Sequence, residues 1–366
     1  MDPIFYFSVM SVTFFLFILE IYFAFKLIKI QQNYPMKGPR IFLLATIIGS
    51  LSSLMQLIYR TLHPNAIEIS ETGSNDIILG IISAYFVLVF LNYYEESHLD
   101  ASKMIITTIL GLITIFSTNE DIIAILFEIN VLLGIATSLS VMFFFLYILI
   151  VGRNTIKRMM EYATSEQKKS INLVKWYIYL SFGGVTIVYF TANMITSVQS
   201  QYNTFSAFWT AIMPQIMIIF ANMCFYFGYI KPGNPASFQP QRIDKFVLIS
   251  EAGLPIYTFD VEKDVKGIDD ALLSGAITAI AAVLREATNI VGELKTIEIG
   301  SQSILLRKKG DLTGVLFSYL PTQFLRQAVS LLMDKLTAIL DSVDYTSLTT
   351  DQLNEIEQLI KNTLGY

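Results

Sequence analysis

Long apolar runs with short polar breaks fill the first 230 residues, after which the apolar stretches shorten and alternate with polar positions. Runs of roughly 20 residues, enough to cross a bilayer as a helix, lie at about 4–28, 41–60, 76–94, 102–118, 122–151, 174–199 and 206–230. The pattern predicts a polytopic α-helical membrane domain of about seven spans over 1–232. A Pro/Gly-punctuated linker at 233–243 follows, and then an α/β domain over 244–366.

Within that domain, KFVLISEAGLPIYTFD predicts a β-hairpin turning at Glu251-Ala252-Gly253, its second strand carrying Ile256, Tyr257, Thr258 and Phe259. Asp269 or Asp270 is placed to cap a helix running to about Glu286, with Leu272, Ala276, Ala279, Ile280 and Val283 making an apolar face and the small residues Ser274, Gly275 and Ala282 suited to close packing on a sheet. LKTIEIG, SQSILLRKKG and LTGVLFSYLP read as three further strands. QFLRQAVSLLMDKLTAILDSV, opened by Thr322, and TDQLNEIEQLIKNTLG read as two helices. The expected order is ββαβββαα.

Composition sharpens this division. Only 15% of the 366 residues are charged and 54% are hydrophobic, with a mean hydropathy of +0.56, against about 25% charged in an ordinary soluble chain. A wholly soluble globular protein is thereby excluded. The first 232 residues hold 26 charged side chains, balanced in sign, and the last 134 hold 29, so the net charge of −5 falls on the second part. An acidic domain offers no surface for nucleic-acid phosphates. The single cysteine, Cys224, rules out an intramolecular disulfide, and the only histidines, His63 and His98, leave little for metal chemistry. The N-terminal apolar run is longer than a signal-peptide core and reads as a retained span.

Lysine and arginine set the expected orientation. They gather in the first loop (Lys26, Lys29, Lys37, Arg40) and the fifth (Arg153, Lys157, Arg158, Lys168, Lys169, Lys175), whereas the second and fourth loops carry Glu68, Glu71, Glu120 and Asp121. Odd loops are therefore expected on the cytoplasmic face of the cell membrane and even loops outside, with the N-terminus extracytoplasmic and the C-terminal domain in the cytoplasm. Trp176 and Trp209 fall at span ends, where interfacial anchors belong.

Polar residues inside spans need a reason, since a charge near the centre costs about 2.5–3.5 kcal/mol on insertion scales. Glu20, Glu128, Asn130, Asn193, Gln215 and Asn222 form the candidate intramembrane polar site, with Pro214 expected to kink the seventh span. The functional reading is a site between helices for a ligand or proton; the plainer one is that the amides tie neighbouring helices together. Ser181, Gly183 and Gly184 suit close helix contact. No lysine lies in the last span for a Schiff base, no aspartate pair lies within spans, and no H-E-x-x-H occurs. No internal repeat of the transporter type is present. No catalytic residue, metal site or cofactor is expected, and the chain is read as not an enzyme.

The order ββαβββαα, the hairpin ISEAGLPIYTFD, the helix DDALLSGAITAIAAVL and the three-strand meander resemble the longin-like (profilin-like) domains of the longin/roadblock superfamily, of the kind familiar from archaea, especially the Asgard group. The resemblance covers about residues 244–342. It departs from the pattern at Ala276, where a bulkier apolar residue would follow Gly275. The membrane half resembles, in topology only, the seven-span regions of microbial sensors, with no kinase motif after it. The resemblance implies a protein-interaction platform that binds a small GTPase, a trafficking or signalling protein, or a second longin/roadblock domain, including a homodimer. Two readings follow: a receptor-like sensor or docking platform, and a carrier or channel with a regulatory cytoplasmic domain.

Overall fold

The structure is a computed structural model that describes residues 3–62, 69–95, 101–116, 139–184, 186–188, 191, 212–238, 243–261, 270–288, 295–299, 302–319, 322–340 and 348–364. The chain divides into two units, one of Met1–Asn92, Leu99–Met160 and Lys168–Pro235, the other of Tyr93–His98, Glu161–Gln167 and Ala236–Tyr366.

In the first unit, α1 (Pro3–Asn33) and α2 (Lys37–Leu62) are separated by only Tyr34, Pro35 and Met36. So short a connection returns α2 antiparallel along α1. Then come α3 (Ile69–Glu95), α4 (Ala101–Phe116), α5 (Ser140–Tyr162), α6 (Ser165–Ile178) and α7 (Met213–Phe225). Helix α6 continues as a π-helical turn over Tyr179–Gly184, and α7 as another over Tyr226–Ile230. Among the described residues, four stretches, Tyr6–Asn33, Lys37–Leu62, Gln167–Val188 and Met213–Ile230, are long and apolar enough to cross a membrane; Ile78–Tyr94 and Ala101–Ile115 are shorter apolar helices. The expected run at 122–151 is described only from residue 139.

Helix α1 turns the usual soluble pattern inside out. It buries Thr13 and Glu20 while exposing Phe7, Phe14, Phe15, Ile18 and Phe25. A soluble helix does the reverse, whereas in lipid apolar side chains face outward and polar groups are turned to the interior.

Two expectations change here. Pro214 lies in the first turn of α7, where its missing N–H removes no helical hydrogen bond, so it starts the described helix instead of kinking it. The basic residues assigned to loops lie within helices instead: Lys26 and Lys29 on α1, Lys37 and Arg40 on α2, Arg153, Lys157 and Arg158 on α5, and Lys168, Lys169 and Lys175 on α6. Their long aliphatic stems let a helix extend past its apolar span while the charge stays in a polar layer.

The second unit holds the sheet. Its strands are β1 (Ile243–Ile249), β2 (Pro255–Asp260), β3 (Thr296–Ile299), β4 (Gln302–Lys309) and β5 (Leu312–Ser318), all pairing antiparallel in the order β2-β1-β5-β4-β3. Helix α8 (Asp270–Thr288) falls between β2 and β3, and α9 (Gln323–Leu340) and α10 (Thr350–Leu364) follow β5. The eight elements come in the order read from the sequence. The β1–β2 turn needs Gly253, whose φ of +79° lies where side chains with a Cβ are strained.

Strand alternation feeds two cores. Val247, Ile249, Ile304, Leu306 and Val315 form one face with Ile277 of α8, and Phe246, Leu248, Leu305 and Leu316 project from the other. Helix α9 covers this second face and buries Phe324, Leu325, Val329, Leu332, Met333 and Leu336; α10 packs on α9. The unit is a three-layer α/β/α sandwich.

The apolar face of α8 read from the sequence is left exposed. Leu272, Ile280 and Val283 are 68%, 45% and 62% exposed, with Ala276 and Ala279 beside them, while Leu273, Ser274 and Ile277 turn to the sheet. The helix is apolar on more than one side, so periodicity alone could not choose. The Asp270 carboxylate, expected to cap the helix, accepts a hydrogen bond from the Lys245 ammonium of β1, which also lies 3.3 Å from Asp260. Asp269 lies outside the described residues.

Partial burial works against the charge on Asp270, but hydrogen bonds from Lys245 and Thr258 outweigh it and hold the carboxyl below its usual range. Burial likewise opposes the Lys245 ammonium, and its bonds to Asp270 and Asp260 hold it above its usual range. The contribution from Asp270 is therefore present above the unfolded value of roughly 4 and lost as pH falls through the folded one; that of Lys245 is present below roughly 10.4 and lost at higher pH. Asp270→Asn is expected to cost about 1 kcal/mol or less near neutrality, and to flatten the acid limb of a pH-dependent melting curve.

Candidate functional site

Helices α1, α2 and α7 bring a set of polar side chains together inside the first unit. Glu20, on α1, is 7% exposed, and its Oε2 accepts a hydrogen bond of 2.8 Å from Ser53 Oγ of α2. The Asn222 side chain of α7 also hydrogen-bonds this carboxyl. Gly49 of α2 makes room for it: a Cβ there would stand 3.4 Å from Glu20 Oε1. Among the described residues no lysine or arginine forms an ion pair with Glu20.

A second polar layer repeats the arrangement. The Thr13 hydroxyl has the Val9 carbonyl and Gln215 Oε1 each at 2.9 Å, so its one proton serves a single acceptor at a time. Gln215 Nε2 donates to Gln56 Oε1 at 3.2 Å. Thr13 and Glu20 are seven residues apart on α1, as Gln215 and Asn222 are on α7. Seven residues are two helical turns, so the layers share a face and are separated by about 10 Å. Three helices thus line one polar seam.

The seam is bordered by an aromatic cluster. Phe225, three residues after Asn222, stacks on Phe42 with ring centroids 3.7 Å apart, and Tyr177 and Tyr229 lie 5.1 Å from it. Tyr177 hydrogen-bonds Ser181 in the π-helical turn of α6 and is within electrostatic reach of Glu20. π-Helical turns inside α-helices are frequent at functional sites. Bulky rings exclude water and so strengthen the electrostatic demands of a nearby carboxyl.

No family model, curated protein or solved structure matches this chain. Of the residues expected from the sequence, Glu20, Gln215 and Asn222 belong to the seam, whereas Glu128, Asn130 and Asn193 lie outside the described residues. Thr13, Ser53 and Gln56 were not anticipated. The seven-residue spacing of Thr13–Glu20 and Gln215–Asn222 was the signal available for Thr13; nothing in the sequence pairs Ser53 or Gln56 with either layer.

Proposed function

We propose that this chain is a receptor-like membrane sensor or docking platform in which seven spans, with an extracytoplasmic N-terminus, carry a longin-like interaction domain in the cytoplasm. The observation behind this reading is the union, in one chain, of apolar helices enclosing a polar seam with a separate α/β sandwich. The seam supplies a place where a ligand or ion acts on helix packing. The sandwich supplies a surface: Leu272, Ile280 and Val283 stand exposed on α8, an apolar strip of the kind that marks protein contact. The element order and the hairpin and helix motifs support a longin-like domain, and with it a small GTPase, a trafficking or signalling protein, or a second such domain as partner. A ligand shifts this system only by binding its two states with different affinity.

The test uses full-length protein in lipid nanodiscs, challenged with small GTPases loaded with GDP or a GTP analogue. Retention of one nucleotide state, lost in Ile280→Glu/Val283→Glu, is the expected result. The absence of both nucleotide-dependent capture and dimerisation would contradict the platform reading.

The stacking of two polar layers along the same three helices favours a second reading, a carrier or channel with a regulatory cytoplasmic domain. Substrate or ion flux in proteoliposomes that disappears in Glu20→Ala would support it over the first.

A further inference from the structure

We infer that Glu20 is the binding site for a single exchangeable positive charge, a proton or a small monovalent cation, held between α1, α2 and α7. This rests on the reading of the seam as the sensor's input, and the readout below is on Glu20 itself, so its failure leaves partner capture as a separate question.

Neutral groups face the carboxyl. From α2 come Ser53 and the bare backbone of Gly49, and from α7 the amide of Asn222. Among the described residues, Tyr177 of α6 is the further titratable group within electrostatic reach, and its hydroxyl is engaged with Ser181. On α1 itself, Lys26 is turned to the Tyr22 ring, 5.5 Å from its centroid. Tyr226, in the π-helical turn after α7, hydrogen-bonds Tyr22. Every partner of Glu20 among these is neutral. A buried carboxylate with only neutral donors carries an unmet charge, and such groups take up a proton or pair with a cation.

The chemistry of the surroundings narrows the class. The carboxylate, the Ser53 hydroxyl and the Asn222 amide offer hard oxygen ligands, which suit alkali cations over thiophilic metals. One carboxylate matches one positive charge, whereas calcium sites draw on six to eight oxygens. The Thr13–Gln215–Gln56 layer, about 10 Å away on the same faces, supplies a hydroxyl and amides able to exchange partners along the approach. Binding at Glu20 acts on three helices at once. One of them, α7, runs through its π-helical turn into the linker, so charge uptake is coupled in sequence to the segment that leads to the second unit.

The experiment takes full-length protein in detergent with choline as the only bulk cation. Thermal melts are recorded from pH 5 to 9, and at pH 8.5 with increasing NaCl or KCl. Wild type is expected to gain about 5 °C from acidification, from cation addition or from both, and Glu20→Gln to melt at one temperature throughout. A response to pH that salt leaves unmoved identifies the proton, and a saturable response to sodium or potassium over choline at fixed pH identifies the cation. Independently of any variant, carbodiimide modification of Glu20, read by mass spectrometry, is expected to fall as pH rises or as the cation saturates. Melts of wild type and Glu20→Gln that respond alike to pH and salt, or carbodiimide modification of Glu20 that neither variable changes, would overturn the inference.

Discussion

Replacing Gly228 with leucine is expected to disrupt the helical unit. A Cβ at this position would stand 2.8 Å from the Ser170 carbonyl oxygen and 2.9 Å from the Leu173 Cβ. Neither is the far end of a flexible side chain, so the backbone of α6 and the π-helical turn after α7 would have to separate. Within a bilayer, helices are held by close packing more than by the hydrophobic effect, and small residues set how near their backbones come. Overpacking typically costs about 1–3 kcal/mol, and a leucine at a contact this tight belongs at or above the upper end. Gly228→Ala should already lower the melting temperature, and Gly228→Leu should sharply reduce the monodisperse fraction in gel filtration. Gly80→Ala is the control, since nothing lies within 4 Å of its would-be Cβ. Equal behaviour of the Gly80 and Gly228 variants would show that the α6 contact is not formed.

The second large effect is expected from Phe246→Ala in the sandwich. Phe246 is fully buried on the interior strand β1, between β2 and β5, with Phe259 and Leu316 as its cross-strand neighbours. Its ring edge would lie 3.3 Å from a Cβ at Gly314, and the Met333 side chain of α9 crowds the same spot. The ring thus fills the space between sheet and α9. Removing a buried phenylalanine costs about 3–5 kcal/mol in lost transfer energy and cavity formation, out of a typical domain stability of about 5–15 kcal/mol. Hydrogen exchange of β1 and β5 in the full-length protein should accelerate by about two to four orders of magnitude if their amides exchange through unfolding of the whole sandwich. Val283→Ala, on the exposed face of α8, should change it little, because substitutions away from buried features usually fall within about 0.5 kcal/mol.

What the sequence made legible follows physical lines. The strands and α9 announce themselves because each has one dominant period: β1 and β5 are short apolar runs bounded by turn residues, and α9 repeats its buried leucines at helical spacing. The turn at Gly253 is visible because few other residues suit its backbone. Helix α8 is only partly legible, since Leu272, Ile280 and Val283 compete with Leu273 and Ile277 for a sheet that has room for one face. Of the small residues suited to close packing on a sheet, Ser274 is buried at the contact, whereas Gly275 and Ala282 are exposed. Asp270 has the residue type of a helix cap, and only the folded sheet brings Lys245 to it.

The seam was half legible for a related reason. A glutamate or glutamine within an apolar run stands out, so Glu20 and Gln215 drew attention. Thr13 and Ser53 did not, because hydroxyls inside helices commonly bond their own backbone, as Thr13 does with the Val9 carbonyl. That they also meet Gln215 and Glu20 depends on how three helices pack. Hydropathy does not encode this.

Side-specific labelling tests most directly on which side of the membrane the sandwich lies. In a Cys224→Ser background, Lys309→Cys places a single thiol at the β4–β5 hairpin, where Lys309 is half exposed. The proposed topology predicts that a membrane-impermeant maleimide leaves this thiol unmodified in intact cells and modifies it fully once the membrane is permeabilised. Full modification in intact cells would put the sandwich outside, and would contradict the orientation, the cytoplasmic partner and the direction of signalling together.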